Sequence, residues 1–315
     1  MNHENKSISV VIPVYNSEEC LEELVRRLEQ VLNRIWNDYE IILVNDFSKD
    51  NSWSKIVDIC RSNVNVKGIQ FRRNFGQDNA IMAGLSISSG DGIIIMDDDL
   101  QHNPDDIPAL ISGLNNHDVC FADFRVKRQS RFKNFGSWFN DKVANVIIKK
   151  PKEIYLSPYK AIKREVVEEI LKYQGPYPYI DGLLFRATRN ITQVPTEHYN
   201  RYTGEGNYTL RKSITVWLKL ATNFSVFPLR IATLLGFITS AFGLIFSIII
   251  FFQYLMGVQS PIGWASTVVV VLLMGGIQLM TAGIIGEYVG RMFLHQSNEP
   301  QYVMETIIGA KGAKN

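Results

Sequence analysis

The loss of charge beyond Arg230 constrains this chain more than any other feature. Residues 231–256 and 264–286 carry no charged side chain, and each stretch is long enough to cross a hydrocarbon core of ~30 Å as a helix. The connecting residues 257–263 lack Lys and Arg, whereas Arg211, Lys212, Lys219 and Arg230 precede the first stretch and Arg291, Lys311 and Lys314 follow the second. Positive charge gathers on the cytoplasmic side of membrane spans, so the pattern predicts a helical hairpin with both flanks cytoplasmic. Residues 208–230 mix those cations with Trp217, Leu218, Leu220, Phe224 and Phe227. A basic amphipathic segment directly before an apolar span suits a lipid interface. Gly286-Glu287-Tyr288-Val289-Gly290 adds a small-residue spacing that permits close helix contact, within the chain or in a homo-oligomer.

The averages conceal this split: the chain is 46% hydrophobic and 20% charged, with a formal net charge of +2. Near-neutrality gives no reason to expect a nucleic-acid partner, which usually calls for a strongly basic face. Cys20, Cys60 and Cys120 are scattered without metal-ligand or redox spacing, which fits a reducing compartment. The polar start, residues 1–7, lacks the apolar run of a secretory signal, so the front of the chain is expected to stay in the cytoplasm.

The first 122 residues alternate strand and helix signals. Apolar runs at 8–14, 40–44, 66–71, 92–96 and 118–122 read as strands. Between them Leu21, Leu24, Val25, Leu28, Leu32 and Ile35 recur at helical spacing, as do Trp53, Ile56, Val57 and Cys60. Further helices are predicted around 80–87, over 104–114 and over 163–172, and a strand over 190–194. Such alternation predicts an α/β fold with a mostly parallel sheet. Sheets of that kind bind ligands beyond the carboxyl ends of their strands, so polar residues just after each strand are the ones to inspect.

Two of those strand ends are acidic. Gly92-Ile93-Ile94-Ile95-Met96 runs into Asp97-Asp98-Asp99-Leu100-Gln101, and Ile41-Ile42-Leu43-Val44 runs into Asn45-Asp46-Phe47-Ser48. Adjacent carboxylates raise one another's pKa, so they persist where a cation compensates them. Oxygen-only ligands favour a hard divalent ion, typically shared with substrate phosphates. The competing reading makes the triplet a solvated helix cap, a role for which Asp105 and Asp106, beside Pro104, are better placed. Asp46 and Tyr15, from Pro13-Val14-Tyr15-Asn16, fall at neighbouring strand ends, where a carboxylate and an aromatic face suit a nucleobase. His102 and His198 show no partner in sequence and read as structural or solvent-facing.

Pro13-Val14-Tyr15-Asn16, Val44-Asn45-Asp46-Phe47-Ser48, Arg73-Asn74-Phe75-Gly76-Gln77 and Met96-Asp97-Asp98-Asp99-Leu100-Gln101 resemble successive motifs of family 2 glycosyltransferases. The likeness continues through Arg201-Tyr202-Thr203-Gly204-Glu205-Gly206-Asn207-Tyr208, Phe227-Pro228-Leu229-Arg230 and Gly286-Glu287-Tyr288-Val289-Gly290-Arg291. It is strongest to the polyprenyl-phosphate branch, which includes dolichyl-phosphate mannose synthase and bacterial undecaprenyl-phosphate glycosyltransferases. The resemblance implies a GT-A catalytic domain over 1–207, a juxtamembrane segment over 208–230, two transmembrane helices within 231–292 and a cytoplasmic tail over 293–315. It implies transfer of one sugar, with inversion, from a nucleotide-sugar to undecaprenyl phosphate at the bacterial inner membrane, using Mg²⁺ or Mn²⁺. Pro13, Tyr15, Asp46, Asp97 and Asp98 would hold the nucleotide-sugar, and Asp97, Asp99 and Gln101 the metal. Arg201 would face the diphosphate, while Arg125, Lys133 and Ser137 would contact the acceptor phosphate. Two positions depart from the pattern: Asn45, where many members carry Asp, and Asp98, where a small residue is common.

An acceptor phosphate is already ionised at neutral pH and needs placement more than a strong base. Cations at Arg125 and Lys133 supply that placement, although the same charges would also suit anionic headgroups. A processive polysaccharide synthase is the competing enzyme, but neither Trp217 nor Trp264 carries the Gln-x-x-Arg-Trp pattern such enzymes use. A non-catalytic membrane scaffold would have no use for Asp97, Asp99 and Gln101.

Overall fold

The computed structural model describes residues 7–124, 154–175, 177–196, 227–256, 263–296 and 300–309. The chain divides into two compact units, one comprising residues 1–207 with 299–315 and the other residues 208–298.

The first unit is built on strand β1 (Ile8–Val14), helix α1 (Leu21–Ile35), β2 (Tyr39–Asn45), α2 (Ser52–Ser62), β3 (Val66–Phe71), α3 (Gln77–Ile87) and β4 (Gly92–Ile95). Every residue of β1, β2 and β4 is buried, as expected of strands covered on both faces. Successive side chains of a strand point to opposite faces. Ile8, Val10, Ile12 and Val14 accordingly share a core with Leu21, Leu24 and Leu28 of α1, while Val11 faces α3. There a Cβ on Gly84 would come within 2.4 Å of Val11 Cγ1, so only glycine lets this helix lie so close to the sheet. Acidic Glu22 and Glu23 in the first turn of α1 and Arg34 in its last complement the helix dipole.

The unit continues with α4 (Ile107–Gly113, after a 3₁₀ turn at Pro104–Asp106), β5 (Val119–Asp123), β6 (Lys160–Lys163), α5 (Arg164–Leu171), α6 (Ile180–Ala187) and β7 (Ile191–Pro195). With β8 (Met304–Ile308) these form one eight-stranded sheet in the order β7-β5-β6-β4-β1-β2-β3-β8. The strands β1 to β4 pair in parallel, as does β5 with β7. β6 and β8 pair antiparallel with their neighbours. The sheet is therefore mixed, and the two exceptions are strands the sequence does not announce. β6 is four residues long with a lysine at each end. β8 lies in the segment 293–315, expected only as a tail. Its register runs Gly68↔Ile308 to Phe71↔Met304, and it covers an edge that β3 would otherwise present.

The second unit contains α7 (Phe227–Leu255) and α8 (Trp264–Gln296), 29 and 33 residues long. Both apolar stretches are thus helical, and the two helices contact one another. Leu234, Phe237, Phe242, Leu244, Leu279 and Phe293 are all exposed on them. Among the described residues no helix is long and apolar enough to cross a membrane. A Cβ on Gly286 or Gly290 would meet nothing within 4 Å among the described residues.

Candidate active site

The carboxyl ends of β1, β2 and β4 and the loop from β3 to α3 enclose one cleft of about 330 Å³. Pro13, Val14 and Tyr15 line it from β1, Asp46 from β2, Asn74, Gly76 and Gln77 from the loop, and Asp97, Asp98 and Asp99 from β4. Six of the residues singled out in sequence, Pro13, Tyr15, Asp46, Asp97, Asp98 and Asp99, therefore converge. The adjacency follows from register: Val14 pairs with Asn45, and Val11 with Ile95, which brings three polar strand ends side by side.

Asp46 is almost fully buried. Its two carboxylate oxygens accept from the backbone N–H of Phe75 (2.6 Å) and Gly76 (2.9 Å). Gly76 has φ +93°, and in that conformation it caps the amino end of α3. Burial pushes the Asp46 carboxyl above its usual range despite those two donors. Asn74 Nδ2 donates to the Asp46 carbonyl at 3.1 Å, tying the two loops together. Asn45, the first departure from the family pattern, is fully buried. Its amide donates to Gln70 Oε1, and its carbonyl accepts from the Ser48 hydroxyl, both at 2.5 Å. It braces the strand end and does not line the cleft.

The three acidic side chains divide their work. Asp97 Oδ1 accepts from Gln77 Nε2 at 2.7 Å, while burial, then Asp99 and Asp98, push its carboxyl up to about 7. The Lys160 ammonium opposes that rise; it is itself buried and paired with Asp181. Asp98 turns toward β1, where its Oδ2 accepts from the Tyr15 N–H (3.1 Å) and the Ser17 hydroxyl (2.5 Å). Burial raises it to about 6 against those two donors. The second departure thus holds the Tyr15 loop in place. Asp99 lines the cleft, and its Oδ1 accepts from the Gln101 N–H at 3.2 Å. Gln101 is half-buried beside the triplet, but its side chain is not part of the cleft wall.

His102 is buried between Tyr159 and Phe124, with ring centroids 5.0 and 5.7 Å away. Its Nδ1 accepts from the Asp97 N–H at 3.1 Å, a geometry that requires the proton on Nε2 and a neutral ring. It anchors the acidic loop, in keeping with a structural reading. Arg125, Lys133, Ser137, Arg201 and His198 lie outside the described residues. Sequence reasoning gave Asn74, Gly76 and Gln77 no role beyond the motif they belong to; a glycine just before a helix was the available signal. Lys160 and Asp181 carried no signal, because their pairing joins a short strand to a helical residue 21 positions further on.

Among the described residues no three His, Cys, Asp or Glu side chains form a ready-made metal cage. A hard divalent ion held by one or two carboxylates and completed by substrate phosphates needs none. Asp97 and Asp99 offer oxygen donors of that kind.

Strand ends bearing carboxylates around one cleft of a mixed, largely parallel sheet fit the GT-A type of catalytic domain. The model of glycosyl transferase family 2 matches residues 9–171, and the chain belongs to that family: it is a glycosyltransferase. Among solved structures it is similar to glucosyl-3-phosphoglycerate synthase from Mycobacterium tuberculosis in complex with Mn²⁺, UDP and phosphoglyceric acid. That match has a TM-score of 0.53 and 17% identity over 69% of this chain and 77% of that one. A complex of the same enzyme with Mn²⁺ and UDP-glucose matches with a TM-score of 0.51, 17% identity and the same coverage. At this identity the likeness shows the fold.

Proposed function

We propose that this glycosyltransferase moves a single sugar, with inversion, from a UDP-linked donor to undecaprenyl phosphate at the cytoplasmic face of a bacterial inner membrane. The product would be a lipid-linked sugar for modification of envelope glycans. The observation that carries the reading is the acidic triplet closing β4 in the same cleft as Tyr15 and Asp46. Tyr15 and Asp46 would take the nucleobase end of the donor, and Asp97 and Asp99, with Gln101 behind them, the diphosphate end through Mg²⁺ or Mn²⁺. UDP and Mn²⁺ in the similar synthase support both assignments. When bound, the ion would neutralise charge that builds on the departing nucleoside diphosphate.

The remaining steps fall to side chains. Gln77 orients Asp97, and Asp98 fixes the Tyr15 backbone. Arg201 would stabilise the leaving diphosphate, and Arg125, Lys133 and Ser137 would hold the acceptor phosphate in line with the anomeric carbon.

The membrane setting is supported by the uncharged sequence of 231–256 and 264–286, by two helices of 29 and 33 residues and by apolar side chains exposed along both. A helix of 29 residues is roughly 43 Å long, more than a hydrocarbon core requires. Among the described residues, these helices included, none is long and apolar enough to cross a membrane, so the membrane setting rests on the charge pattern of the sequence.

The test is transfer by the full-length protein in detergent, with a panel of nucleotide-sugars and either undecaprenyl phosphate or phosphoglyceric acid as acceptor. Mass spectrometry should find a lipid-linked monosaccharide, formed with Mn²⁺ or Mg²⁺ and lost in EDTA. Transfer to phosphoglyceric acid alone would overturn the lipid acceptor, and undiminished turnover in EDTA would overturn the metal.

A further inference from the structure

Three non-glycine residues among those described adopt positive φ: Asn16 (54°), Phe47 (59°) and Leu100 (61°). They follow β1, β2 and the acidic end of β4, three strands adjacent in the sheet. Backbone strain is thus concentrated around the cleft. Residues other than Gly, Asn and Asp enter this region only at a cost, so each case needs a compensation.

Two compensations are visible. Asparagine tolerates the conformation, and Asn16 Oδ1 accepts from the Lys49 N–H at 2.8 Å. Leu100 is 5% exposed, so core packing offsets its strain. Phe47 has neither: its side chain is 44% exposed and stacks on no other ring among the described residues.

The loop does not need a phenylalanine. Its path is fixed on both sides of Phe47 by the Asp46 N–H on the Val14 carbonyl (2.9 Å), the Asn74 amide on the Asp46 carbonyl (3.1 Å) and the Asn16 N–H on the Ser48 hydroxyl (3.0 Å). Glycine would satisfy that backbone without strain. An exposed ring kept at such a point has a use outside the fold.

Its position says which. Asp46, the preceding residue, lines the cleft. The last paired residues are Val14 and Asn45. Beyond them the Asp46 N–H on the Val14 carbonyl (2.9 Å) and the Asn16 N–H on the Ser48 hydroxyl (3.0 Å) hold the loops after β1 and β2 side by side, with Phe47 between Asp46 and Ser48. Tyr15, on that neighbouring strand end, is the other exposed aromatic here, at 47%. Of the described large apolar side chains exposed in the sheet-bearing unit, the remaining three are Val64, Tyr177 and Ile307, none of them at these strand ends.

We propose that Phe47 is a second aromatic contact for the donor's nucleobase, forming with Tyr15 an aromatic seat at the mouth of the cleft. The inference rests on the nucleotide-sugar reading of the site. Aromatic side chains stack on any base, because every base offers a flat π-face. The seat would therefore add affinity for the nucleoside portion without choosing the base. It would leave the diphosphate and its metal untouched.

The experiment measures binding of UDP, GDP and dTDP, and separately of inorganic pyrophosphate, each with Mn²⁺, to the full-length protein and to three variants. Phe47→Gly removes the ring and the strain together. Phe47→Leu keeps bulk and strain but removes the π-face, and Phe47→Tyr keeps the ring. The expected result is a roughly tenfold weaker Kd for the nucleoside diphosphate that binds wild type, equivalent to about 1.4 kcal/mol, in Phe47→Gly and Phe47→Leu. Pyrophosphate affinity should be unchanged in both, and Phe47→Tyr should be near wild type. The thermal midpoint of Phe47→Gly should equal or exceed that of wild type. Unchanged nucleotide affinity in Phe47→Gly and Phe47→Leu would overturn the role of Phe47 and leave the donor reading standing. Equal loss of pyrophosphate affinity would show that the loop had moved, and would also overturn it. Failure of wild type to bind any nucleoside diphosphate would sink the donor reading itself.

Discussion

At the amino ends of the strands, Glu40 is buried and its carboxylate is fully answered. It accepts from the Ser9 hydroxyl (2.6 Å), the Ser89 N–H (2.6 Å) and the Ser89 hydroxyl (2.9 Å), and pairs with Lys67. Burial alone would raise its pKa, yet Lys67 and those donors hold it below the usual range. At the carboxyl ends of the same sheet, burial and mutual repulsion win, and Asp97 and Asp98 rise to about 7 and about 6. Carboxylates at one end are closed off by protein partners. Those at the other are held in a state that an added cation would relieve. The contrast separates the end that secures the fold from the end proposed to do the chemistry.

The largest effect expected of this contrast is on catalysis. Asp99→Ala should reduce transfer by at least ~10²-fold while leaving the thermal midpoint at or above that of wild type. Near-normal turnover in that variant would remove the cation from the carboxyl end. Glu40→Ala should do the reverse. Breaking a buried, hydrogen-bonded ion pair costs about 3 kcal/mol or more, readable in denaturant unfolding, while the folded enzyme should keep kcat within about twofold. A large loss of kcat at undiminished stability would erase the distinction between the two ends.

Stability against pH probes the same contrast in metal-free protein. The folded-state pKa values of Asp97 and Asp98 lie above the ordinary 3.8, at about 7 and about 6. Between those limits the folded chain holds protons that the unfolded chain has released, so the two residues make stability fall as pH rises from about 4 to about 7. Glu40, with a depressed folded pKa, contributes stability above its ordinary 4.5 that is lost as pH falls through the folded value. Thermal midpoints across this range in EDTA should decline less in Asp97→Asn than in wild type, and Mn²⁺ should flatten the wild-type decline. An identical profile for Asp97→Asn and wild type would break the argument. The smallest effect concerns the edge of the sheet. Tyr302 stacks on Phe71 with centroids 5.4 Å apart, and Tyr302→Ala should cost about 1 kcal/mol of stability with kcat unchanged at saturating donor.

The sequence announced those parts of the fold in which one segment reports on itself. Strands such as 8–14 and 92–95 are buried throughout and read as near-continuous apolar runs, and α1 shows its apolar stripe at helical spacing, so the signal in each is local information. The cleft was legible for the same reason: parallel strands align their carboxyl ends, and polar residues after an apolar run mark them. What stayed hidden depends on distant partners. β6 is too short and too charged to look like a central strand until Asp181 neutralises Lys160. β8 is a five-residue edge strand whose only signal is its pairing with a strand more than 200 residues earlier. Phe47 was quoted within a motif, but its strain is a property of the backbone, which composition and spacing do not carry.

The return of β8 to the sheet makes the helical pair an insertion within the first unit rather than an appendage after it. Cutting the chain before Phe227 would discard the helices and also strip the outermost strand from β3, leaving unpaired N–H and C=O groups as a template for aggregation. A version of the enzyme without the helical pair calls for splicing: the helices excised, and a flexible linker joining the end of the first unit's long segment to the strand that completes its sheet.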